Sequence, residues 1–249
     1  MTAAKPTVDV KSANAELDGA NASKVVQWAA HTFGNQLIMT SSFGAQSVVT
    51  LHLVTQVIPN IPVILIDTGY LFADTYHYIE QLHKRLRLNL HVYQPVITAA
   101  RFEAIHGRQW EKGEEGLDIY HQIHKIEPMQ RAVTEIGASA WLSGLRIDQT
   151  EHRAQLQTLT LQDQIFRIQP ILHWTKKDIN RYIQSYDLPE HPMVHKGYES
   201  IGDTHSTQPV AAGIESSGRA GRFRGLKQEC GLHLPQSKAE NASRNSSSL

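Results

Sequence analysis

A single cysteine, Cys230, is the strongest candidate for a nucleophile in this 249-residue chain. The segment before it is basic, with four cations in nine residues and no acid until Glu229: Arg219, Arg222, Arg224 and Lys227. His233 follows three residues after the cysteine. Neighbouring cations stabilise a thiolate over a thiol, and the thiolate is the nucleophilic form. A lone cysteine is commonly a buried small apolar residue, but these polar, basic and glycine-rich surroundings favour a reactive one.

A turn of small residues, TSSFGAQS at 40–47, is a candidate anion site. It lies between an apolar strand pattern and a helical one, so backbone N–H groups and a helix N-terminus can face one concavity. The residues that we expect to hold a phosphate or sulfate are Ser41, Ser42, Phe43, Gly44 and Gln46. The turn is no Walker A loop, because it has no G-K-[ST] sequence. An ordinary strand–helix turn would give the same pattern.

A carboxylate ends the next strand pattern. In IDTGYLF at 66–72, Asp67 is followed by Thr68 and Gly69. A carboxylate at such a strand end is well placed to bind ribose hydroxyls or an exocyclic amine. The alternative is a turn that only starts a helix, closed by the aspartate and the glycine.

Cations follow a later strand pattern. SGLRIDQTEHR at 143–153 contains Gly144, Arg146 and Arg153, and HKIEPMQR at 124–131 adds Lys125 and Arg131. Guanidinium groups bind phosphate or sulfate in a bidentate geometry. Surface arginines are common, so solvated side chains are the alternative for each of them.

The elements that must position these residues alternate between strands and helices. Strand patterns occur in NQLIMTSS, IPVILID, LNLHVY, ASAWLSG and IFRIQPIL. Helical patterns accompany them, and four occur from about Ala20 to Phe33, directly after the TSSFGAQS turn, from near Ala73, and around 127–136. A capping box, TKKD at 175–178, begins a fifth helix. This order predicts an open, mostly parallel α/β sheet with helices on both faces and a ligand beyond the carboxyl ends of the strands.

The pattern also predicts a domain organisation. We expect a flexible N-terminal segment at 1–19 and a nucleotide-binding α/β domain at 20–210. Regular patterning fades beyond Leu188, and the Gly-, Ser- and Arg-rich stretch at 211–234 suits a mobile catalytic arm. The serine-rich residues 235–249 are typical of a disordered tail.

Composition excludes several classes of function. The chain has 24 basic and 24 acidic residues, so no global field attracts it to nucleic acid or to a membrane surface. No run of 18 apolar residues predicts a membrane span, and the N-terminus has no apolar core of a signal peptide. A single cysteine suits a reducing compartment, which predicts a cytoplasmic protein.

Five segments together resemble the adenylylsulfate/phosphoadenylylsulfate reductases of sulfate assimilation. In the family's order they are SSFGAQS, IDTGYLF, KIEPMQRA, GLRIDQ and ECGLH. The resemblance implies an adenine nucleotide α-hydrolase-like fold, related to the PP-loop ATP pyrophosphatases. The acidic residue of the ATP-cleaving loop is missing here, because Ala45 and Gln46 follow Gly44. That difference fits a nucleotide sulfate that reacts at sulfur without magnesium.

The resemblance also implies a mechanism and a site. Cys230 would attack the sulfur of the activated sulfate, and thioredoxin or glutaredoxin would then release sulfite from the cysteine thiosulfonate. The substrate-binding residues would be the candidates named above for the turn at 40–47, the strand end at 66–72 and the cationic stretches at 124–131 and 143–153. A C-terminal group joins them: Arg222, Arg224, Lys227 and His233. A homodimer is expected from the family alone. Gln208 stands where many relatives have a basic residue, so a phosphate contact there is in doubt.

The resemblance further bears on the cofactor. Many adenylylsulfate reductases of this family hold a [4Fe–4S] cluster through a C-C pair and a C-x-x-C pair, whose places here are Tyr120, His121, Asp203 and Ser206. With no cysteine at these places, no thiolate-ligated cluster can form, and no cofactor is expected. Within the family this pattern accompanies the 3′-phosphorylated substrate. A cluster-free reductase of unphosphorylated adenylylsulfate also fits.

Three competing hypotheses belong to other classes. An ATP-dependent PP-loop enzyme would need an acidic loop and magnesium. A non-catalytic regulator on this fold would bind adenosine bisphosphate without releasing sulfite. A metal hydrolase would use histidines such as His121 and His124, but no H-E-x-x-H sequence occurs and we expect no metal.

Overall fold

The computed structural model describes residues 6–210, 221–223 and 232. Its centre is a six-stranded sheet with the strand order β3-β2-β1-β4-β6-β5. The strands are β1 (Leu37–Thr40), β2 (Pro62–Ile66), β3 (Asn89–Tyr93), β4 (Ala140–Leu142), β5 (Leu159–Gln162) and β6 (Ile165–Ile168). All neighbouring strands run parallel except β5, which pairs antiparallel with β6. The predicted open, mostly parallel α/β sheet is therefore confirmed.

Eight α-helices connect and flank the strands in the described part of the chain. They are α1 (Val10–Leu17), α2 (Ala22–Phe33), α3 (Ser47–Val57), α4 (Ala73–Leu86), α5 (Ala99–His106), α6 (Gly113–His121), α7 (Glu127–Ile136) and α8 (Lys176–Ser185). A π-helical turn, Gln122–Ile126, joins α6 to α7. The predicted capping box is present, since Thr175 and Asp178 exchange side chain–backbone bonds at the start of α8. None of these helices is long and apolar enough to span a membrane.

Alternation along the central strands sends successive side chains to opposite faces of the sheet. Met39 and Val63 join the larger apolar core, which contains the buried faces of α1 to α4. Ile38 and Ile64 join a smaller cluster on the opposite face, where they pack with Met129 of α7. Helices thus cover both faces, as the nearly unbroken apolar strands predicted.

The strand order reverses at β1. Its neighbours are β2 on one side and β4 on the other, and both crossovers are parallel. Ligands of open α/β sheets bind in the crevice beyond the strand ends at such a switch point. The loops after β1 and β4 are the loops in which the sequence placed the anion turn and two of the arginines.

Three local predictions differ from the structure. Residues 10–17, predicted to be flexible within segment 1–19, form α1 with Ala13 and Leu17 buried. Asn14 explains this order, because its side chain donates to the Leu159 carbonyl at 2.8 Å and accepts from the Leu159 N–H at 2.9 Å. The stretch 100–124, in which the sequence patterns predict no helix, contains α5 and α6, and β5 is likewise not among the predicted strands.

Candidate active site

A cavity of about 240 Å³ lies beyond the carboxyl ends of β1 and β4. Ten of the residues predicted to bind substrate line it: Ser41, Ser42, Gly44, Gln46, Thr68, Lys125, Gly144, Arg146, Arg153 and Arg222. Strand topology brings them together from five separate segments of the sequence. The switch point therefore gathers most of the predicted polar residues around one concave space.

The loop between β1 and α3 forms one wall of the cavity. Phe43 has a left-handed backbone, with φ 50°, and its side chain is fully buried in the larger apolar core. Phe43 is therefore an anchor of the loop and is not among the cavity-lining residues, which differs from the prediction. Gly44 lies close to the 201 backbone, since a Cβ there would meet the Ile201 carbonyl oxygen at 3.2 Å. Burial of Phe43 thus presents the small, polar neighbours to the cavity.

The loop after β4 supplies two buried arginines. Arg146 is 3% exposed, and its Nε donates to Asp148 at 3.1 Å. Its Nη1 has no hydrogen-bond partner among the described residues, and burial lowers the pKa of the guanidinium although Asp148 opposes this. Arg153 is equally buried and donates to Gln149. These two cations give the cavity a local positive potential in a chain of zero net charge.

Gly144 of the same loop packs directly against α3. A Cβ at this position would lie 2.6 Å from the Thr50 hydroxyl oxygen. Thr50 is itself buried and lines the cavity. The glycine therefore sets how closely the arginine-bearing loop approaches the helix.

A buried ion pair closes the opposite side. Lys125 lies on the π-helical turn, and its Nζ is 2.6 Å from Asp203 Oδ2. The Thr68 hydroxyl donates to Asp203 Oδ1 at 2.6 Å. Burial would raise the pKa of Asp203, but the charges of Lys125 and His205 and the hydrogen bonds from Lys125 and Thr68 together hold this pKa well below its usual range. In the sequence Asp203 stands out only as a position without cysteine, and no motif there predicts its place in the cavity wall.

Arg222 reaches the cavity from the C-terminal part of the chain. Its Nη1 donates to the Thr207 hydroxyl at 3.0 Å, and its guanidinium fills the space beside Gly202, where a Cβ would lie 1.9 Å from Nη1. The backbone adds a bond from Gln208 N to the Gly221 carbonyl at 2.9 Å. Residues 221–223 are thus held against the segment 202–208.

Three predicted residues besides Phe43 lie outside the cavity lining. Asp67 accepts hydrogen bonds from the Gly69 N–H, the Tyr76 hydroxyl and the Gln94 side chain. Gly69 has a φ of 77° and turns the chain there. Arg131 pairs with Glu127 at 2.9 Å. Protein partners thus engage the side chains of Asp67 and Arg131, and direct substrate contact by these three residues stays a prediction.

Four further predictions fall on residues that the structure does not describe. They are Cys230, Arg224, Lys227 and His233. Leu232 of the same ECGLH segment is described, and it lines the cavity. One residue of the motif therefore lies at the site that the other segments form.

Aromatic packing surrounds Tyr120, one of the four positions that the resemblance assigned to cluster cysteines. Tyr120 is fully buried and stacks on His124 with ring centroids 4.5 Å apart. Nearby, Trp110 stacks on His205 at 3.9 Å. Burial lowers the pKa of each of these two histidines to about 4. Within the described residues no three His, Cys, Asp or Glu side chains form a group that could hold a metal.

A small-residue turn and arginines at the switch point of a mostly parallel sheet are typical of α/β proteins with the PP-loop-like fold. Solved structures share this fold: an FMN adenylyltransferase of Candida glabrata superposes with a TM-score of 0.57 over 83% of this chain and 68% of its own, at 16% identity. That likeness concerns the fold alone.

The particular family follows from closer matches. The model of the phosphoadenosine phosphosulfate reductase domain matches residues 36–209, and the chain belongs to this family. A phosphoadenosine 5′-phosphosulfate reductase of Synechocystis is 50% identical over 97% of both chains, and one of Photobacterium profundum is 47% identical over 92% of this chain and 90% of its own. A phosphate complex of the phosphoadenylyl-sulfate reductase of Candida auris superposes with a TM-score of 0.72, at 29% identity, over 82% of this chain and 100% of its own. The resemblance in the five segments is thereby confirmed.

Proposed function

We propose that this chain reduces 3′-phosphoadenylylsulfate to sulfite and adenosine 3′,5′-bisphosphate in sulfate assimilation. The observation that carries the proposal is the near full-length match, at about half identity, to reductases of that name. The cavity has the chemistry that such a substrate requires. A nucleotide sulfate with an additional phosphate carries several negative charges, and buried guanidinium groups are the strongest partners for them.

The cavity offers three arginines to these anionic groups. Arg146 and Arg153 come from the loop after β4, and Arg222 comes from the other side. Backbone N–H groups of the loop at 41–46 and the N-terminus of α3 add partial positive charge. We propose that these groups bind the phosphates and the sulfate. The charge of Lys125 is balanced by Asp203, so we propose that Lys125 helps to shape the cavity and does not bind an anionic group directly.

The chemical step is proposed for Cys230. Its thiolate attacks the sulfate sulfur, an S–S bond forms, and the bond from sulfur to the bridging phosphate oxygen breaks. The electron pair leaves with adenosine 3′,5′-bisphosphate. Cations at Arg224 and Lys227 in the sequence would favour the thiolate.

Release of sulfite needs two electrons from a second protein. A thiolate of thioredoxin or glutaredoxin attacks the cysteine sulfur, sulfite leaves, and the second thiol of that protein closes its own disulfide and returns Cys230 to the thiol state. An external dithiol is required, because this sequence has one cysteine and cannot resolve the intermediate within one chain. We propose residues 211–234 as the arm that brings the cysteine first to the substrate and then to the reductant. A homodimer and a cytoplasmic location belong to the same proposal.

We also propose that the enzyme works without an iron–sulfur cluster. A [4Fe–4S] cluster is held by four thiolates, and the sequence has one cysteine. The reaction as written needs no electron from a metal centre, since the two thiols of the partner protein supply both electrons.

An intact-mass experiment tests the function. The full-length protein is incubated with 3′-phosphoadenylylsulfate, and a gain of about 80 daltons, reversed by dithiol, is expected on Cys230. The Cys230→Ser variant should show no adduct and release no sulfite with thioredoxin. Wild-type sulfite release by this variant would overturn the mechanism.

Parallel samples separate the alternatives. An adduct formed as fast from unphosphorylated adenylylsulfate would favour the cluster-free adenylylsulfate reductase. Tight binding of adenosine 3′,5′-bisphosphate with neither adduct nor sulfite would favour the non-catalytic regulator.

A further inference from the structure

Arg167 is a buried cation that none of the five motif segments contains. It lies on β6 between Phe166 and Ile168, whose side chains join the larger core. Alternation therefore directs Arg167 to the opposite face, where α7 packs. Its Cα is in register with Trp141 of β4, and its guanidinium carbon lies 4.5 Å from the centre of the Trp141 ring.

The guanidinium has two further partners that offset its burial. Arg167 is 6% exposed, and an isolated charge at such a position is costly. Its Nη2 lies 3.8 Å from the Asp163 carboxylate. Its Nη1 donates to the backbone carbonyl of Leu232 at 2.8 Å. Arg167 does not line the cavity, so its contact with the C-terminal segment is its link to the site.

Leu232 connects Arg167 to the cavity. The leucine packs against the apolar cluster on the α7 face, to which Trp141 belongs, and it also lines the cavity. One residue of the ECGLH segment is therefore held in two ways, by apolar contact and by a charge-assisted hydrogen bond to its carbonyl. Cys230 precedes it by two residues, and two residues of extended chain span about 7 Å at most.

We propose that Arg167 is a positioning residue that anchors the ECGLH segment through the Leu232 carbonyl and so presents Cys230 to the substrate sulfur. The proposal rests on the proposed function. It assigns Arg167 no contact with substrate, and it predicts a loss in the chemical step that leaves nucleotide binding unchanged.

Two matched variants separate anchoring from general stability. Arg167→Gln removes the charged donor to Leu232, whereas Asp163→Asn removes the ion pair and leaves that donor in place. Single-turnover formation of the Cys230 adduct is followed by intact mass, and affinity for adenosine 3′,5′-bisphosphate is measured by calorimetry. We expect Arg167→Gln to slow adduct formation by about 10- to 100-fold with affinity within about twofold of wild type. Asp163→Asn should change both by less than about threefold.

The outcomes decide the proposal. A folded Arg167→Gln protein with a wild-type adduct rate would overturn it, and so would an equal loss of nucleotide affinity. If Arg167→Gln does not fold, Arg167→Lys is used, because an ammonium keeps the charge and can donate to the carbonyl but lacks the planar fork. Its adduct rate should lie between those of wild type and a Leu232→Ala variant, and a rate below that of Leu232→Ala would also contradict anchoring.

A second readout does not depend on the reductase reaction. Cys230 is the sole cysteine of the chain, so iodoacetamide reports on this thiol alone. Adenosine 3′,5′-bisphosphate should slow alkylation of the wild type by at least about fivefold, because Leu232 lines the nucleotide cavity, and protection should vanish in Arg167→Gln. Undiminished protection in that variant would overturn the anchor. A wild type that is protected but forms no adduct would contradict the proposed function and leave the anchor supported.

Discussion

Two groups of charged residues lie at the carboxyl end of the sheet, and they differ in what satisfies their charge. We call Lys125, Arg146 and Asp203 the cavity wall, because all three line the cavity. We call Asp67, Gln94 and Arg131 the edge network. In it, Arg131 donates to the Gln94 carbonyl, and the Gln94 side chain donates to Asp67 at 2.9 Å.

In the sequence Arg131 and Arg146 look alike, since both are arginines of motif segments that predict anion binding. In the structure Arg131 is half-exposed and bound to Glu127, whereas Arg146 is buried with one nitrogen that no described residue satisfies. A side chain whose hydrogen-bonding capacity the protein has used is a poor ligand for substrate. The comparison therefore predicts unequal effects for similar substitutions.

The largest effect is expected in the cavity wall at Arg146. Arg146→Gln should lower kcat/KM for 3′-phosphoadenylylsulfate by about 10- to 100-fold, the range of a lost charged hydrogen bond. Its melting temperature should hold or rise, because burying a cation whose Nη1 no described residue satisfies is costly to the protein without substrate. Steady-state kinetics and thermal unfolding check both parts. Unchanged kinetics, or a lower melting temperature with equal loss of activity, would give Arg146 a structural role and remove the contrast.

The next effect concerns the stability of the two aspartates. Asp203→Asn breaks the buried pair with Lys125 and should lower the free energy of unfolding by about 3 kcal/mol. Asp67→Asn keeps one acceptor oxygen among neutral partners and should cost about 1 to 2 kcal/mol. Urea unfolding of both variants at pH 7 measures the difference. An equal or larger loss in Asp67→Asn would contradict the distinction between wall and edge.

The pH dependence sharpens the same difference. The pKa of Asp203 is lower in the folded than in the unfolded chain, so its contribution is complete above about pH 4 and is lost as pH falls toward the folded value. The difference in unfolding free energy between wild type and Asp203→Asn should therefore shrink below about pH 4. A difference that stays constant down to pH 2 would show that the pair is not ionised.

How far the sequence predicts this molecule depends on the kind of information required. Strand composition and turn residues predict the sheet, because a short apolar run such as Pro62–Ile66 is typical of a parallel strand that is buried on both faces. The loops after β1 and β4 follow from strand ends meeting at one edge. The direction of a side chain at a strand end does not follow from the sequence, which therefore does not show that Asp67 faces protein partners and that Phe43 enters the core.

Asp203 shows the opposite limitation. It lies in a segment without regular pattern, and an isolated bridge to Leu71 and a bond from Thr204 N to the Tyr70 carbonyl hold it in place. These are contacts over more than 130 residues of sequence. Its partner Lys125 is far away in the sequence, and nothing in the sequence pairs this aspartate with that lysine before the fold is known.

A smaller effect is expected from the aromatic packing behind the cavity wall. Burial lowers the pKa of His124 to about 4, so the unfolded chain binds more protons than the folded one between about pH 6.5 and pH 4. Stability should fall as pH decreases through this window. His124→Phe keeps the ring that packs against Phe102 and should flatten the curve, whereas His31→Gln at an exposed position should not. Urea unfolding at several pH values measures the slopes, and equal slopes in wild type and His124→Phe would contradict the buried neutral imidazole.

The smallest effect is expected in the edge network, where Arg131→Gln tests the comparison from the other side. The half-exposed pair with Glu127 should contribute about 0.5 kcal/mol or less, and kcat/KM should stay within about twofold of wild type. Glu127→Gln is the matched control, because it breaks the same pair and leaves the arginine present. A tenfold loss of activity in Arg131→Gln but not in Glu127→Gln would mean that the arginine exchanges its protein partners for the substrate. In that case hydrogen bonds seen without the nucleotide would not identify the ligands, and the edge would belong to the site.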